Sequence, residues 1–68
     1  MQIRFLVRSE TYTEKTRRLL ERYRYHFGMQ KTTGRDGCTY RFTVAVQDTD
    51  ELAALLQAAG IPYQPLGY

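Results

Sequence analysis

One cysteine and one histidine are the sole residues of their types in the chain, and both are candidates for chemistry. The cysteine, Cys38, stands in the stretch GRDGCTYRF, directly after a glycine-flanked turn. A single cysteine cannot form an internal disulfide, and one cysteine with one histidine cannot supply the usual four ligands of a zinc site. His26 has no evident carboxylate or cysteine partner, so we interpret it as a histidine at the margin of a helix's apolar stripe. The sequence therefore predicts no metal, no cofactor and no classical hydrolase chemistry.

The composition predicts a single globular domain. The chain has 68 residues, of which 43% are hydrophobic and 13% aromatic, and this length suits one two-layer core. No segment approaches the roughly 20 apolar residues needed to cross a bilayer. The N-terminus MQIRFLVRSE also lacks the long apolar run and cleavage site of a signal peptide. We therefore expect a cytoplasmic protein that spans residues 1–68 as one domain.

Positive charge is concentrated in the first part of the chain. All ten Lys and Arg residues lie within positions 1 to 41, and the formal net charge is +3. Such an imbalance is found in proteins that bind nucleic acid or an acidic protein, but also in domains that bind neither. Charge alone therefore does not decide whether the protein binds nucleic acid, an acidic protein or neither.

Three segments within the first 46 residues have the pattern of strands. Ile3, Phe5 and Val7 alternate with Arg4, Leu6 and Arg8, as expected for a strand with one buried face. Residues 40 to 46 show the same alternation with aromatic and β-branched side chains and predict the central strand. A weaker strand is predicted over residues 29 to 33, and a turn at 34 to 37 joins it to the central one.

The first helix is predicted between the first two strands. Thr11 and Glu14 form a capping box, and apolar residues then recur at helical spacing through Phe27 until Gly28. Glu14 with Arg18, and Arg17 with Glu21, form pairs four residues apart on the opposite side of the helix. This pattern predicts one apolar face and one solvated, charged face.

The second helix and a last strand complete the chain. Asp48 and Glu51 indicate the helix start, and Gly60 indicates its end. Residues 61 to 66 predict a last strand, which two prolines confine to a sheet edge because proline lacks a backbone N–H group.

The order β-α-β-β-α-β predicts an α+β fold of the ferredoxin-like, split βαβ type. In that arrangement the antiparallel sheet has the strand order 4-1-3-2, with the two helices on one face. The first and third strands are then adjacent, which places Cys38 beside Arg8 and Ser9. Cys38 is therefore expected near the N-terminus of the first helix.

This expected position gives Cys38 a possible function as a nucleophile or carrier. The unpaired N–H groups of a helix N-terminus, here at Ser9 and Thr11, favour a thiolate. Arg8 and Arg35 would add positive charge near the sulfur. These four residues are the predicted thiolate-stabilising set.

Cys38 could instead have a purely structural role, as part of the hydrophobic core. Cys38 shares strand parity with Tyr40 and Phe42 and so points toward the core, where a free cysteine commonly behaves as a small hydrophobic residue. Asp36 and burial both disfavour the thiolate. The sequence does not decide between these two interpretations.

The predicted sheet face away from the helices is the second candidate site. Arg4 and Arg41 lie on it, and they suit an acidic protein or a phosphate. The aromatic residues of the third strand point to the helices instead, so the face lacks platforms for base stacking and nucleic acid is the less favoured partner. Leu6 and Ala45 on the same face would permit a homodimer formed by packing sheet against sheet.

Short segments along most of the chain match one family in order. They are Arg8 to Thr11, Glu14 and Lys15 leading to Leu19 to Glu21, Gly37 to Tyr40, Leu55 and Leu56, and Ala59 to Tyr63. With these segments the chain resembles the small bacterial selenium/sulfur carrier-like proteins. The resemblance implies that Cys38 accepts sulfur or selenium from one protein partner and passes it to another.

Two hypotheses from different classes follow. The first is a cytoplasmic carrier or thiol-relay protein that works through Cys38 and is a carrier more than an enzyme. The alternative is a non-catalytic binding or dimerisation module that uses its arginine-bearing face on an acidic protein or nucleic acid.

Overall fold

The computed structural model describes residues 1–35 and 37–66. The chain is an α+β domain with two helices and a four-stranded antiparallel sheet. Its elements are β1 (Gln2–Val7), α1 (Glu10–Arg22), β2 (Phe27–Gly34), β3 (Gly37–Ala45), α2 (Thr49–Ala58) and β4 (Gln64–Pro65). Neither of these helices is long and apolar enough to span a membrane.

The two strands with the clearest alternation lie in the middle of the sheet. The strand order is β2-β3-β1-β4, which reads 4-1-3-2 when it is counted from the β4 edge. β4 contains just two residues, although the sequence predicts a strand over residues 61 to 66. Pro62 and Pro65 cannot donate to a ladder, and the N–H of Leu66 instead donates to the carbonyl of Arg4 at 2.9 Å.

The core lies between one face of the sheet and both helices. Its buried hydrophobic residues form a single cluster of Ile3, Phe5, Val7, Leu20, Tyr40, Phe42, Val44, Val46, Leu52, Leu56 and Ile61. At its centre the rings of Phe5 and Phe42 stack with their centroids 5.3 Å apart. The alternation predicted for the two central strands is therefore confirmed, because every second residue of each enters this cluster.

The start of α1 differs from the prediction. Ser9 is the N-cap, and its hydroxyl accepts a hydrogen bond from the N–H of Tyr12 at 3.5 Å. The carbonyl of Ser9 already accepts the first helical bond, from the N–H of Thr13 at 2.8 Å. The predicted capping box of Thr11 and Glu14 is therefore wrong, since Thr11 is already inside the helix.

The end of α1 also differs, because the helix stops at Arg22 and not near Phe27. Arg24 adopts a left-handed conformation with φ of 60°, which turns the chain away from the helix axis. Two backbone hydrogen bonds close this end, from Arg24 to Glu21 and from Tyr25 to Leu20. They form a Schellman motif, a helix end that usually has glycine at the left-handed position. Phe27 consequently begins β2, which is longer than the predicted strand.

The remaining elements agree more closely with the sequence. Asp48 caps α2, with its carboxylate accepting from the N–H of Asp50 at 2.9 Å, and Gly60 ends the same helix with φ of 70°. Gly34 and Gly37 pair across the predicted turn between β2 and β3. Asp36, which the sequence places in this turn and near Cys38, lies outside the described residues.

Candidate functional site

The sheet face away from the helices is here called the open face, and it presents mainly polar and charged side chains. The register aligns three of its positions in a row, with Arg4 opposite Thr43 and Thr43 opposite Gly28. In the next row Leu6 lies opposite Arg41, and Arg41 opposite Gln30. Arg4, Arg8 and Arg41 are all exposed. The sheet therefore brings together the two arginines predicted for a binding face.

Gly28 leaves a gap in this face. A Cβ atom at this position would meet nothing within 4 Å beyond its chain neighbours. The result is a depression lined by Arg4, Gly28, Met29, Gln30, Arg41 and Thr43. Two guanidinium groups, an amide and a hydroxyl thus surround a space large enough for a ligand's polar group.

Two glutamines hold arginine side chains on the open face. Arg41 donates a hydrogen bond to the side-chain oxygen of Gln30 on β2. Arg8 donates one to the side-chain oxygen of Gln64 on β4 at 3.3 Å. Each bond uses one of the five N–H donors of a guanidinium group, so several donors remain for a ligand. The arginines are therefore oriented without being neutralised.

The acidic residues lie elsewhere on the molecule. Within residues 1–35 and 37–66, carboxylates occur on α1 and at the start of α2, and the open face carries none. On α1 the basic residues are partly balanced, because Arg17 lies 3.4 Å from Glu14 and Arg18 lies 3.9 Å from Glu14. Of these contacts Glu14–Arg18 is a predicted pair, and the other predicted pair, Arg17–Glu21, lies at 3.9 Å. Such exposed pairs stabilise the fold little, by about 0.3–0.5 kcal/mol each. Basic residues thus occur on α1 as well, but there they are mixed with carboxylates, whereas the described part of the open face carries arginines alone.

Cys38 lies near the end of β3 that adjoins the β2 turn. It is half-buried, packs against the core cluster and pairs with Thr33 on β2. The pairing of β1 with β3 ends at Val7 and Tyr40, two residues short of Cys38. Continued by two residues, the same register places Ser9 opposite Cys38. The sulfur is thus on the helix side of the sheet, in line with the N-cap of α1.

The other residues of the predicted thiolate-stabilising set are dispersed. Arg8 is on the open face with Gln64, so the sheet separates its guanidinium from Cys38. Arg35 is exposed in the turn between β2 and β3, and Thr11 is exposed in the first turn of α1. Of the four predicted residues, Ser9 is therefore the one that the strand register aligns with Cys38.

The sequence predicts that His26 lies on the first helix, but α1 ends at Arg22, before this residue. It is exposed in the link between α1 and β2, and its carbonyl accepts from the N–H of Ala45 at 2.9 Å. No group of three or more His, Cys, Asp or Glu residues suited to a metal ion occurs in the described part of the chain.

Sequence reasoning missed the contributions of Gly28, Gln30 and Gln64 to the open face. Their side of the sheet depends on the register of two edge strands whose patterns are weak. Comparison with protein-family models, with curated proteins and with solved structures found no match to this chain.

Proposed function

We propose that this protein is a non-catalytic binding module that holds an anionic macromolecule, a nucleic acid or an acidic protein, on its open face. The observation that carries this proposal is the segregation of charge. Arg4, Arg8 and Arg41 share the open face, whereas the described carboxylates lie on the helices and their ends. This supports the binding-module hypothesis over the carrier hypothesis.

The arrangement of the arginines favours an extended partner over a small ion. Arg4 and Arg8 are four residues apart along β1 and its continuation, a separation of about 13 Å. Arg41 lies opposite Leu6, which is midway between them. Three guanidinium groups spread over two adjacent strands match successive charges on a flexible chain better than they match one compact ligand.

The direct test is binding of a labelled single-stranded oligonucleotide and of a labelled polyglutamate peptide, measured by fluorescence anisotropy. We expect binding of at least one probe at low salt, with affinity that falls as salt rises. A variant with Arg4→Glu and Arg41→Glu should lose this binding. If the variant binds both probes as well as the wild type, the open face is not the site.

A matched control separates the effect of the site from that of net charge. The pair Lys15→Glu and Arg22→Glu changes two exposed residues of α1. Both double variants lower the net charge from +3 to −1, since each substitution changes the charge by two. Binding should persist in the helix variant, although weakened, because its open face is intact.

The second candidate function is the carrier role of Cys38. Its support is that Cys38 is partly accessible and is aligned with the N-cap of α1. In the transfer step the Cys38 thiolate attacks the outer sulfur of a donor protein's persulfide, and the donor cysteine departs as a thiolate. Cys38 then holds the transferred sulfur as its own persulfide, and a selenium atom would be carried in the same way.

Alkylation by iodoacetamide tests this second candidate. A carrier requires Cys38 to react in the folded protein at least as fast as a cysteine in an unstructured peptide at the same pH. Cys38→Ser is the control for label at other residues. Reaction that occurs only after unfolding would exclude the carrier role and leave the open-face proposal unaffected.

We also propose that the fold is of the ferredoxin-like class and that the protein acts in the cytoplasm. The order β-α-β-β-α-β, with β1 and β3 central and both helices against one face, supports the first of these. A cytoplasmic location accords with the absence of a spanning helix in the described residues and with a single cysteine.

A further inference from the structure

The outer edge of β2 is a long strand edge that no other described strand covers. β2 has eight residues and pairs with β3 on one side. Its pairing runs without a bulge from Phe27 opposite Val44 to Gly34 opposite Gly37. Natural sheets protect such edges with proline, bulges, inward charges or a covering element. β2 has no proline and a single charged residue, Lys31.

The backbone groups on this edge can be assigned from the ladder. The carbonyl of His26 accepts from the N–H of Ala45, so His26 and Ala45 are a hydrogen-bonded pair. In an antiparallel ladder alternate residues face the partner strand, which directs the even-numbered residues of β2 to β3. The N–H and C=O groups of Phe27, Met29, Lys31 and Thr33 therefore point away from the sheet.

We propose that this edge pairs with the same edge of a second copy of the chain, giving a symmetric dimer with a continuous eight-stranded sheet. The register that pairs the two edges best has a two-fold axis perpendicular to the sheet, which passes between the two copies of Gln30. It places Met29 opposite Lys31 of the second copy and Phe27 opposite Thr33 of the second copy. All outward-pointing residues are then paired, as an isologous interface requires.

The neighbouring registers are less favourable. An axis through Lys31 would place two like charges directly opposite each other, which destabilises a strand pair. An axis through Met29 would leave Thr33 outside the paired region. Packing open face against open face would bring three arginines of each copy together, so the edge offers a second copy the better surface. The dimer does not depend on the proposed function, because edge pairing leaves both open faces uncovered.

Proline substitution tests the edge without disturbing the fold. Lys31→Pro removes an N–H that points outward, so the ladder between β2 and β3 keeps its bonds. Lys31→Ala is the matched control, since it loses the same side chain and its cation-π contact with Tyr40 but keeps the N–H. By sedimentation velocity, we expect the wild type and Lys31→Ala to dimerise with rising concentration. Lys31→Pro should dimerise at least about tenfold more weakly, because the symmetric dimer loses two hydrogen bonds.

Cysteine cross-linking tests the register itself, even if the proline variant fails to fold. In a Cys38→Ser background, Gln30→Cys places two thiols on the two-fold axis in a non-hydrogen-bonded pair, within reach of a disulfide. Thr32→Cys is the control, because its two copies would be about 13 Å apart. We expect a mild oxidant to cross-link the first variant and not the second. A wild type that stays monomeric up to about 1 mM, or equal cross-linking of both variants, would overturn the proposal.

Discussion

Arg8 and Gln64 join β1 to the edge strand β4 through a hydrogen bond of 3.3 Å between side chains 56 residues apart. This contact lies on the open face, whereas Cys38 packs against the core on the other side of the sheet. Arg8 is therefore part of the cationic surface and is not a neighbour of the thiol, although the two are close in the predicted strand register.

The first prediction concerns this separation. Arg8→Ala should leave the rate of Cys38 alkylation in the folded protein unchanged, because the sheet lies between the guanidinium and the sulfur. The same substitution should weaken binding of an anionic probe to the open face. A slower alkylation in Arg8→Ala, at unchanged stability, would show that Arg8 does act on the thiol.

The second prediction concerns the start of α1. Ser9→Ala should destabilise the protein by about 0.5–1 kcal/mol, because it removes the hydroxyl that caps the helix. Thr11→Ala should change stability by less than about 0.5 kcal/mol, because Thr11 is an exposed residue inside the helix. Urea denaturation of the two variants measures both values. A larger loss of stability in Thr11→Ala than in Ser9→Ala would show that Thr11 caps the helix, as the sequence predicts.

The third prediction concerns the two helix ends, which use the same motif with different residues. Arg24 and Gly60 both occupy the left-handed position after a helix, with φ of 60° and 70°. Arg24→Gly should stabilise the protein by about 0.5 kcal/mol, since relief of the left-handed penalty exceeds the entropy that glycine adds to the unfolded chain.

Gly60→Ala is the converse substitution. It should destabilise by about 1 kcal/mol, and its cost is conformational, because a Cβ there would meet nothing within 4 Å. Thermal unfolding of both variants checks the pair. Changes of the same sign in both would contradict a left-handed end for α1.

These helix ends show what the sequence could and could not reveal. The end of α2 is predictable because Gly60 supplies both the left-handed residue and a visible signal. The end of α1 is not, because Arg24 adopts that conformation without a glycine and the apolar spacing continues through Phe27. Arg4 and Arg41 lie on one face, as the sequence predicts, because strand parity fixes the side of each residue. Parity says nothing about hydrogen bonds to edge strands, so the partners of Arg8 and Arg41 could not be inferred.

The fourth prediction concerns pH and Tyr25. Burial raises the pKa of Tyr25 above its usual value, with smaller contributions from the negative charges of Glu51 and Asp48. The folded state therefore retains this proton more strongly than the unfolded chain does. The associated stability is fully present below about pH 10, the usual tyrosine value, and is lost as the pH rises through the higher folded-state pKa.

Tyr25→Phe should make the alkaline fall in stability shallower, and Glu51→Gln should do so to a smaller extent. Urea midpoints measured at several pH values above 9, a range chosen to bracket the usual tyrosine pKa of about 10, check both variants. Curves that run parallel to the wild type would show that Tyr25 does not contribute to the alkaline transition.

The open face carries three arginines and no described carboxylate, whereas the basic residues of α1 are mixed with carboxylates, so positive potential is concentrated over the sheet. In the field of a polyanion such a molecule rotates before it makes contact, so that most encounters begin with the strands facing the partner. The rate of association would then depend on ionic strength more steeply than a net charge of +3 alone implies.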